Sequence, residues 1–470
     1  MATSDLALDI VIMAAGKGTR MRSKLPKVLH RLAGRSLLQH VLQTAAGLGA
    51  RRIVVITGHG AEAVEASITH PSAVFARQEP QLGTGHAVQQ AVPSLGDDGT
   101  TLILNGDVPL IEIATAQALV AASEGSRLAL LTAVLDDPRG YGRIVRGDPA
   151  GRDALEGGRI HRIVEDKDAT ASDRAIREIY TGVMAAPTRD LKRWLAALRN
   201  DNAQREYYLT DVVKAAVDDG IAVVATHPRD PVETMGVNSA NQLAELERLV
   251  QRRQADALME RGVRLADPAR FDLRGELLTG ADVEIDVGCI FEGRVELDDD
   301  VTVGAHCVLR NATVGAGVAI KPYTHIDGGK EGARIAAGAE IGPFARLRAG
   351  ADLGENVHIG NFVEIKNARL GKGAKANHLA YLGDAQVGER VNFGAGSITA
   401  NYDGAHKHRT TIGADAHIGS NCVLVAPVEI GAGATIGGGS TISKDAPAGQ
   451  LTLARSRQST LAGWKRPTKG

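Results

Sequence analysis

Aliphatic residues spaced six apart constrain this chain more than any other feature. Ile335, Ile341, Leu347, Leu353, Ile359 and Ile365 keep the spacing, and Ile412, Ile418, Leu424, Ile430, Ile436 and Ile442 take it up again. An α-helix repeats every 3.6 residues and a lone strand alternates, so neither produces this period. A parallel β-helix does: each hexad makes one short face, and its aliphatic side chain points inward. Glycines, as in Ile341-Gly342 and Ile359-Gly360, let the backbone turn at corners. One coil cannot bury its own apolar stripe, so such an array is stable only as a stack. Chance spacing does not account for two runs of six.

The chain has 470 residues, enough for two or more domains. Aromatic residues make up only 3% and glycine numbers 55, which suits a β-helix packed with Ile, Val, Leu and Ala. Lys plus Arg is 54 against 55 Asp plus Glu. That balance argues against bulk nucleic-acid binding and leaves room for local phosphate pockets. Cys289, Cys307 and Cys422 are odd in number and show no CxxC pairing. Neither a disulfide framework nor a zinc site is expected, which suits a reducing cytosol. Residues 1–13 lack a basic leader region, and no apolar run reaches membrane length. The expectation is a cytoplasmic protein with no membrane insertion.

Read in order, residues 6–13 form a buried strand that runs into Gly16-Lys17-Gly18-Thr19-Arg20-Met21. Residues 36–46 read as a helix, 52–57 as a strand, 84–92 as a helix, 101–104 as a strand ending at Asn105-Gly106-Asp107, and 128–135 as another strand. Such alternation predicts a mostly parallel, Rossmann-like α/β sheet flanked by helices, with ligands at the carboxyl ends of its strands. Residues 238–262 read as a connecting helix, with Leu243, Leu246 and Val250 on one face, Asn238 or Ser239 as its cap and Gly262 as its stop. The predicted domains are 1–238, a linker helix 239–262, and 263–470 with hexads clear from about Val283. The last segment, 451–470, is basic through Arg455, Arg457, Lys465, Arg466 and Lys469. It reads either as a solvated tail or as a contact for an anionic ligand or a neighbouring subunit.

Gly16-x-Gly18 is neither a Walker A loop nor a full dinucleotide fingerprint, because Met21 stands where a third glycine belongs. Its glycines still let backbone N–H groups approach phosphates, with Arg20 and Lys27 as nearby positive charge. Met13-Ala14-Ala15-Gly16-Lys17-Gly18-Thr19-Arg20-Met21 with Leu25-Pro26-Lys27 resembles the signature of sugar-phosphate nucleotidyltransferases. Gln78, Gln81-Leu82-Gly83-Thr84-Gly85, Asn105-Gly106-Asp107, Gly140-Tyr141-Gly142-Arg143, Ile163-Val164-Glu165 and Gly236-Val237-Asn238 extend the likeness. The set resembles the bacterial bifunctional N-acetylglucosamine-1-phosphate uridyltransferase / glucosamine-1-phosphate N-acetyltransferase family over nearly the whole chain. That resemblance implies attack of a sugar-1-phosphate oxygen on the α-phosphate of UTP, with pyrophosphate leaving. Asp107 and Asn238 would hold Mg²⁺, Lys27 and Arg20 would neutralise phosphate, Gln78, Gly83 and Thr84 would select uracil, and Gly142 and Glu165 would contact the sugar. Where the family pattern has an Asn that touches the sugar, this chain has Tyr180. Its hydroxyl either replaces that contact or the contact is lost, and an altered sugar preference is expected.

The hexad phase slips at four places. Residues 365–370 and 382–387 are steps of five, 399–412 is thirteen (read as two hexads plus one residue), and 326–335 is nine. Slips become loops on the outside of a solenoid, and these regions hold His378, Tyr381, Asn401, Tyr402 and Lys407. Ala-Asn-His378-Leu-Ala-Tyr381 is similar to the same family's acetyltransferase signature. The resemblance makes His378 the general base for acetyl transfer from acetyl-CoA, and imidazole suits that role near neutral pH. It implies Arg348, Lys366, Tyr381, Asn392 and Lys407 as ligands of glucosamine-1-phosphate. Asn401 and Tyr402 would orient the amine and stabilise the oxyanion, and Ala395, Ser420, Gly438 and Arg455 would contact acetyl-CoA. It also implies a left-handed β-helix, a homotrimer, and UDP-N-acetylglucosamine for peptidoglycan and lipopolysaccharide. Two other readings stay open: a nucleotidyltransferase with a structural or regulatory β-helix, and a trimeric scaffold with a degenerate nucleotide domain.

Overall fold

The computed structural model describes residues 7–147 and 158–468. Leu6 and Lys469 lie outside the described residues. The chain divides into two compact units, Met1–Glu247 and Arg248–Gly470.

The first unit is built on one sheet. Its strands are β1 (Leu8–Met13), β2 (Arg52–Thr57), β3 (Ala73–Arg77), β4 (Thr100–Asn105), β5 (Leu128–Val134), β6 (Gly142–Arg146), β7 (Ile160–Val164), β8 (Glu178–Pro187) and β9 (Val223–Thr226). The order across the sheet is β9-β5-β8-β4-β1-β2-β3, with β6 and β7 attached beside β8. β1 pairs in parallel with β2 and β4, which puts Met13 level with Ile56 and Asn105. Ile10, Val11 and Ile12 are fully buried, so β1 carries apolar side chains on both faces, as a covered parallel strand must. The helix Leu37–Ala46 begins with a capping box between Ser36 and Gln39 and buries Leu37, Leu38, Val41 and Leu42. The helix expected over 84–92 is Thr84–Ala91, followed by a 3₁₀ turn at Val92–Ser94. Two strands break the parallel pattern: β7 runs antiparallel to β6, and β8 runs antiparallel to β4, β5 and β6, and β8 is the one that matters for the cleft. Its first residues therefore arrive at the same edge as the carboxyl ends of its parallel neighbours.

The helix Ala240–Glu260 starts where Ser239 Oγ accepts the Gln242 N–H at 3.3 Å. Ser239 is thus the cap, and Gly262 beyond the far end takes a positive φ of 99°.

The second unit is a parallel β-helix. Two long ladders of short parallel strands hold it, one from Arg264–Leu265 to Leu451–Thr452 and one reaching Thr441–Ile442. Every hexad aliphatic named above is at most 2% exposed, and they join one continuous core. Two details of the phase differ from expectation. Thr399 and Ile412 sit on adjoining strands, Ile398–Ala400 and Thr410–Ile412, so 399–412 is one step with a projecting loop rather than two hexads plus one. His378 falls inside a regular step between Ala376 and Leu382, not at a slip. The five-residue steps make no loop either: they tighten a corner at Asn367 and Asp384, both with positive φ.

Candidate active sites

In the first unit the carboxyl ends of β1 and β4 and the first residues of β8 border a cleft of about 650 Å³. Met13, Ala14, Ala15, Gly16, Lys27, Gln78, Gly83, Thr84, Asn105, Asp107, Gly142, Glu165, Tyr180 and Asn238 all line it. Segments far apart in sequence meet here because the parallel strands end together. Gly18 has a φ of 58°, and a Cβ there would lie 2.7 Å from Lys27 Cβ, so only glycine lets this loop fold against Lys27. Gly182, with φ 90°, gives room to the Asn105 amide in the same way.

Lys27 is the centre of charge. Its ammonium forms a short ion pair with Asp107 Oδ2 and donates to Asn238 Oδ1 at 3.0 Å. Two hard oxygen donors from distant segments of the unit thus converge on one cation. Oxygen donors of this kind suit Mg²⁺, and the ammonium shows that the place between them accepts positive charge. At one end of the cleft, Gln78 is 5% exposed and its Nε2 donates to Gly83 O at 2.9 Å, which fixes the amide. Thr84 Oγ1 accepts the Leu209 N–H at 3.0 Å. At the other end, Thr210 Oγ1 donates to Glu165 Oε1 at 2.9 Å. Burial, opposed by that hydrogen bond, raises the Glu165 carboxyl above the usual range. Arg143, 1% exposed, donates to Asp166 Oδ1 at 3.0 Å and to the Tyr141 carbonyl, which ties the segments of Gly142 and Glu165 together.

Two expected residues stand outside the lining. Gly106 acts from behind it, donating its N–H to Met13 O at 2.9 Å. Arg20 is exposed on the 3₁₀ turn Thr19–Met21, and its charge is felt at the Tyr141 phenol. The cleft also contains residues that the sequence reading did not single out as ligands. Gln81 Nε2 donates to Ala15 O at 3.0 Å and pins the glycine loop, and Tyr141 and Thr210 complete the wall. Gln81 and Tyr141 stand inside the quoted motifs, which was the available signal. Thr210 had none.

The β-helix arranges its residues in rows. Asn361 pairs with His378, Ala376 with Phe393, Phe393 with Ile418, and Ile418 with Ile436. That register stacks Asn361, His378, Ala395, Ser420 and Gly438 along one edge on successive coils. Backbone bonds follow the row: Leu379 N–H to Asn361 O at 3.0 Å, Gly396 N–H to His378 O at 3.3 Å, Asn421 N–H to Ala395 O and Gly439 N–H to Ser420 O at 2.8 Å each. His378 is exposed, and its Nδ1 lies 2.9 Å from Asn361 Oδ1. Nδ1–H donating to that oxygen leaves Nε2 as the basic nitrogen. Asn361 carries no local mark, because only the coil register places it beside His378. Arg455 Nη1 reaches the end of the row and donates to Gly438 O at 2.8 Å. Asn392 stands on the face that leads to this edge, 3.2 Å from His417 Nδ1.

A second edge gathers positive charge. Arg348 and Lys366 occupy successive coils, and Arg348 Nη1 donates to Glu364 Oε1 at 2.8 Å. The Lys407 ammonium beside Lys366 holds the latter below the ordinary lysine range, with Arg348 adding to the effect. Asp384, 9% exposed, accepts from the amides of Asn367 and Asn401 and ties three coils at this corner. Asn401 is therefore also 9% exposed and anchors the projecting loop, whereas Tyr402 is 63% exposed. Tyr381 lies on the face between the two edges, paired with Glu364 and Ile398.

The comparisons with known proteins agree with this geometry. The MobA-like NTP transferase domain matches residues 10–266, and the bacterial transferase hexapeptide (six repeats) matches residues 409–444. The bifunctional protein GlmU of Methylibium petroleiphilum is 71% identical over 466 residues, covering 98% of this chain and 99% of its own. That of an Acidovorax species is 64% identical over 478 residues, with 98% and 99% covered. That of Aromatoleum aromaticum is 57% identical over 462 residues, again with 98% and 99% covered. A solved UDP-glucose pyrophosphorylase covers 53% of the chain at 16% identity and a TM-score of 0.44, too distant to bear on function. The chain is an enzyme that joins a nucleotidyltransferase domain to hexapeptide transferase repeats, and it belongs to the bifunctional GlmU family.

Proposed function

We propose that the chain makes UDP-N-acetylglucosamine in two steps. Acetyl-CoA acetylates glucosamine-1-phosphate on the β-helix, and UTP then uridylylates N-acetylglucosamine-1-phosphate in the cleft with release of pyrophosphate. The observation that carries the reading is the partition of chemistry. The Lys27–Asp107–Asn238 cluster lies in the first unit, and the His378 row lies in the second.

On the β-helix, the sugar amine attacks the thioester carbonyl, its proton passes to His378 Nε2, and the CoA thiolate leaves. Lys366, Lys407 and Arg348 bind the phosphate, with Tyr381 and Asn392 holding the sugar. Ala395, Ser420, Gly438 and Arg455 track acetyl-CoA along the row, and Asn401 and Tyr402 orient the amine. In the cleft, the sugar-phosphate oxygen attacks the α-phosphate of UTP. Such transfer needs positioning and charge neutralisation more than covalent help. Lys27 and Arg20 neutralise phosphate, Gln78, Gly83 and Thr84 hold uracil, and Gly142, Glu165 and Tyr180 hold the sugar. Mg²⁺, held by Asp107 and Asn238, supplies further neutralisation of the triphosphate when bound.

The β-helix also supports association with copies of itself. Tyr323, Phe344, Phe362 and Leu379 are 52%, 47%, 55% and 61% exposed. The three rings stack at centroid distances of 5.1 and 5.5 Å, which makes a continuous apolar ladder of the kind that marks an interface. A convex solenoid edge does not enclose a ligand alone, so a homotrimer with acetyl-transfer sites between copies is the assembly we favour. Among the described residues no helix is long and apolar enough to cross a membrane. A cytoplasmic role that feeds peptidoglycan and lipopolysaccharide synthesis is what the family resemblance implies.

Two assays test the reading. One follows CoA thiol release with glucosamine-1-phosphate, and the other follows pyrophosphate release with UTP and Mg²⁺. Wild-type chain should perform both, and absence of either would refute the two-step function.

A further inference from the structure

Behind the cleft stands a histidine that the residues assigned to uridylyl transfer do not include. His86 lies in the first turn of the helix Thr84–Ala91, is half-buried and does not line the cleft. Its Nδ1 is 3.2 Å from Gln78 Nε2, and its Nε2 is 3.2 Å from Gln90 Nε2. Its ring lies beside that of Tyr207, at a centroid distance of 6.2 Å.

Two backbone carbonyls decide which amide atoms face the imidazole. Gly83 O can only accept, and it takes a hydrogen bond from Gln78 at 2.9 Å, so the Gln78 atom beside it is the amide nitrogen. The same nitrogen faces His86 Nδ1. His86 O fixes the Gln90 amide nitrogen in the same way, at 3.0 Å. Both ring nitrogens are therefore met by donors. A neutral imidazole can accept at one of them and an imidazolium at neither, so the surroundings select the neutral ring. Burial acts in the same direction, lowering the imidazole below its usual range. Gln78 is 5% exposed, whereas Gln90 is half-buried and has room to turn its oxygen toward the ring. The arrangement that satisfies the more buried amide puts the ring proton on Nε2 and leaves Nδ1 to accept from Gln78.

The consequence falls on the other end of the Gln78 amide. Gly83 and His86 take both hydrogens of its nitrogen. Its Oε1 has no partner among the described residues and is not sealed from solvent, and the residue lines the cleft. An oxygen held in this way is matched by an N–H of the ligand. Uracil offers one at N3, whereas cytosine has a lone pair there.

We propose that His86, as its Nε2–H tautomer, is a positioning residue that fixes the polarity of the Gln78 amide and so tunes the cleft to a base with an imide N–H. This rests on the cleft being the uridylyl-transfer site with Gln78 at the base. His86 acts only through Gln78 and touches no substrate.

The test compares full-length wild type with His86→Phe and His86→Asn. Phenylalanine keeps a ring beside Tyr207 and removes the acceptor, while asparagine returns an acceptor oxygen in place of Nδ1. Binding of UTP with Mg²⁺ is measured by calorimetry, binding of CTP by displacement of UTP, and kcat by pyrophosphate release from UTP and N-acetylglucosamine-1-phosphate. His86→Phe should weaken UTP about 10-fold, leave CTP within about twofold and leave kcat within about threefold. His86→Asn should return the UTP affinity to within about threefold of wild type. In ¹⁵N NMR of wild type, the His86 proton should sit on Nε2. UTP affinity within about twofold of wild type in His86→Phe overturns the inference. So does an equal loss for UTP and CTP, which marks a structural effect, or a His86→Asn variant no better than His86→Phe, or a proton on Nδ1. Wild type that binds no UTP instead refutes the cleft assignment itself.

Discussion

In the α/β unit Lys27 meets Asn238 across 211 residues of chain, whereas on the β-helix His378 meets Asn361 across 17. The first contact exists because parallel strands end at one edge and the loops beyond them close around a common space. The second exists because each coil repeats the one before it, so a side chain finds its neighbours one turn away. The difference has a functional counterpart. Long-range closure produces a cleft enclosed within its own unit, with Asp107 only 19% and Lys27 only 13% exposed. Coil repetition produces rows of aligned groups on convex edges, with His378 and Tyr402 open to whatever docks there. A cleft of the first kind needs only substrate. On the proposed reading, a row of the second kind is completed by another surface.

The contrast breaks most sharply if either site depends on the other. Asp107→Ala should lower uridylyl transfer by at least about 10³-fold, since it removes charge from the centre of the cleft. His378→Ala should lower acetyl transfer by about 10²- to 10⁴-fold through loss of the base. Each should leave the other activity within about twofold, measured on the same preparation by the two assays. Loss of both activities from either change in folded protein would end the claim of independent sites.

Next in size is the basic edge of Arg348, Lys366 and Lys407. Lys407→Met should raise the KM for glucosamine-1-phosphate about 10-fold or more, with a smaller change in kcat, because it removes binding charge from an open row. The same substitution relieves the like-charge neighbour that depresses Lys366. The Lys366 ammonium should then titrate at higher pH, as read by NMR of the labelled side chain. No upward movement would mean that the two lysines do not share one anion site.

A smaller effect sharpens the other side of the comparison. Burial raises the folded Glu165 carboxyl above its unfolded value. Its contribution to stability is therefore complete below the unfolded pKa and is lost as pH rises through the raised folded value. Glu165→Gln should accordingly gain thermal stability relative to wild type as pH rises from acid to neutral. Its pyrophosphate-release profile should lose the acid limb that Glu165 protonation imposes on wild type. A stability difference that does not vary with pH would contradict the burial argument.

The mildest change is Gly438→Ala. A Cβ there would lie 3.3 Å from Ser420 O, tight enough to shift the row slightly without breaking it. The KM for acetyl-CoA should change by less than about threefold.

The sequence made the repetitive unit legible in outline, because a period of six is a direct image of coil geometry. It was less informative where the repeat was interrupted. The thirteen-residue step from Thr399 to Ile412 reads as two hexads plus one, yet nothing in its composition reveals that most of it projects outward. Asn401, buried against Asp384, was likewise indistinguishable from an exposed ligand until three corners stacked. In the α/β unit, the strand at 52–57 could be read directly because Ile53-Val54-Val55-Ile56 is an unbroken β-branched apolar run. The direction of β8 was not readable, since an apolar strand has the same composition run either way. That direction is what delivers Tyr180 to the cleft edge. The motif set selected the cleft residues well because cleft-forming motifs are short and local, whereas Thr210 carries no local mark. Asn361 escaped notice for a different reason: its role depends on coil register.

The central claim is that the cleft works within one copy of the chain while the β-helix row needs another. Tyr323→Asp with Phe344→Asp would put charge into the exposed ring ladder on coils before Asn361 and His378 and oppose association. Sedimentation of this double variant, with both activities measured on the same sample, tests the claim most directly. The account predicts a dissociated chain that retains uridylyl transfer within about twofold and loses acetyl transfer by at least about 100-fold. A dissociated chain that still acetylates glucosamine-1-phosphate, or one that loses uridylyl transfer to the same degree, would contradict it.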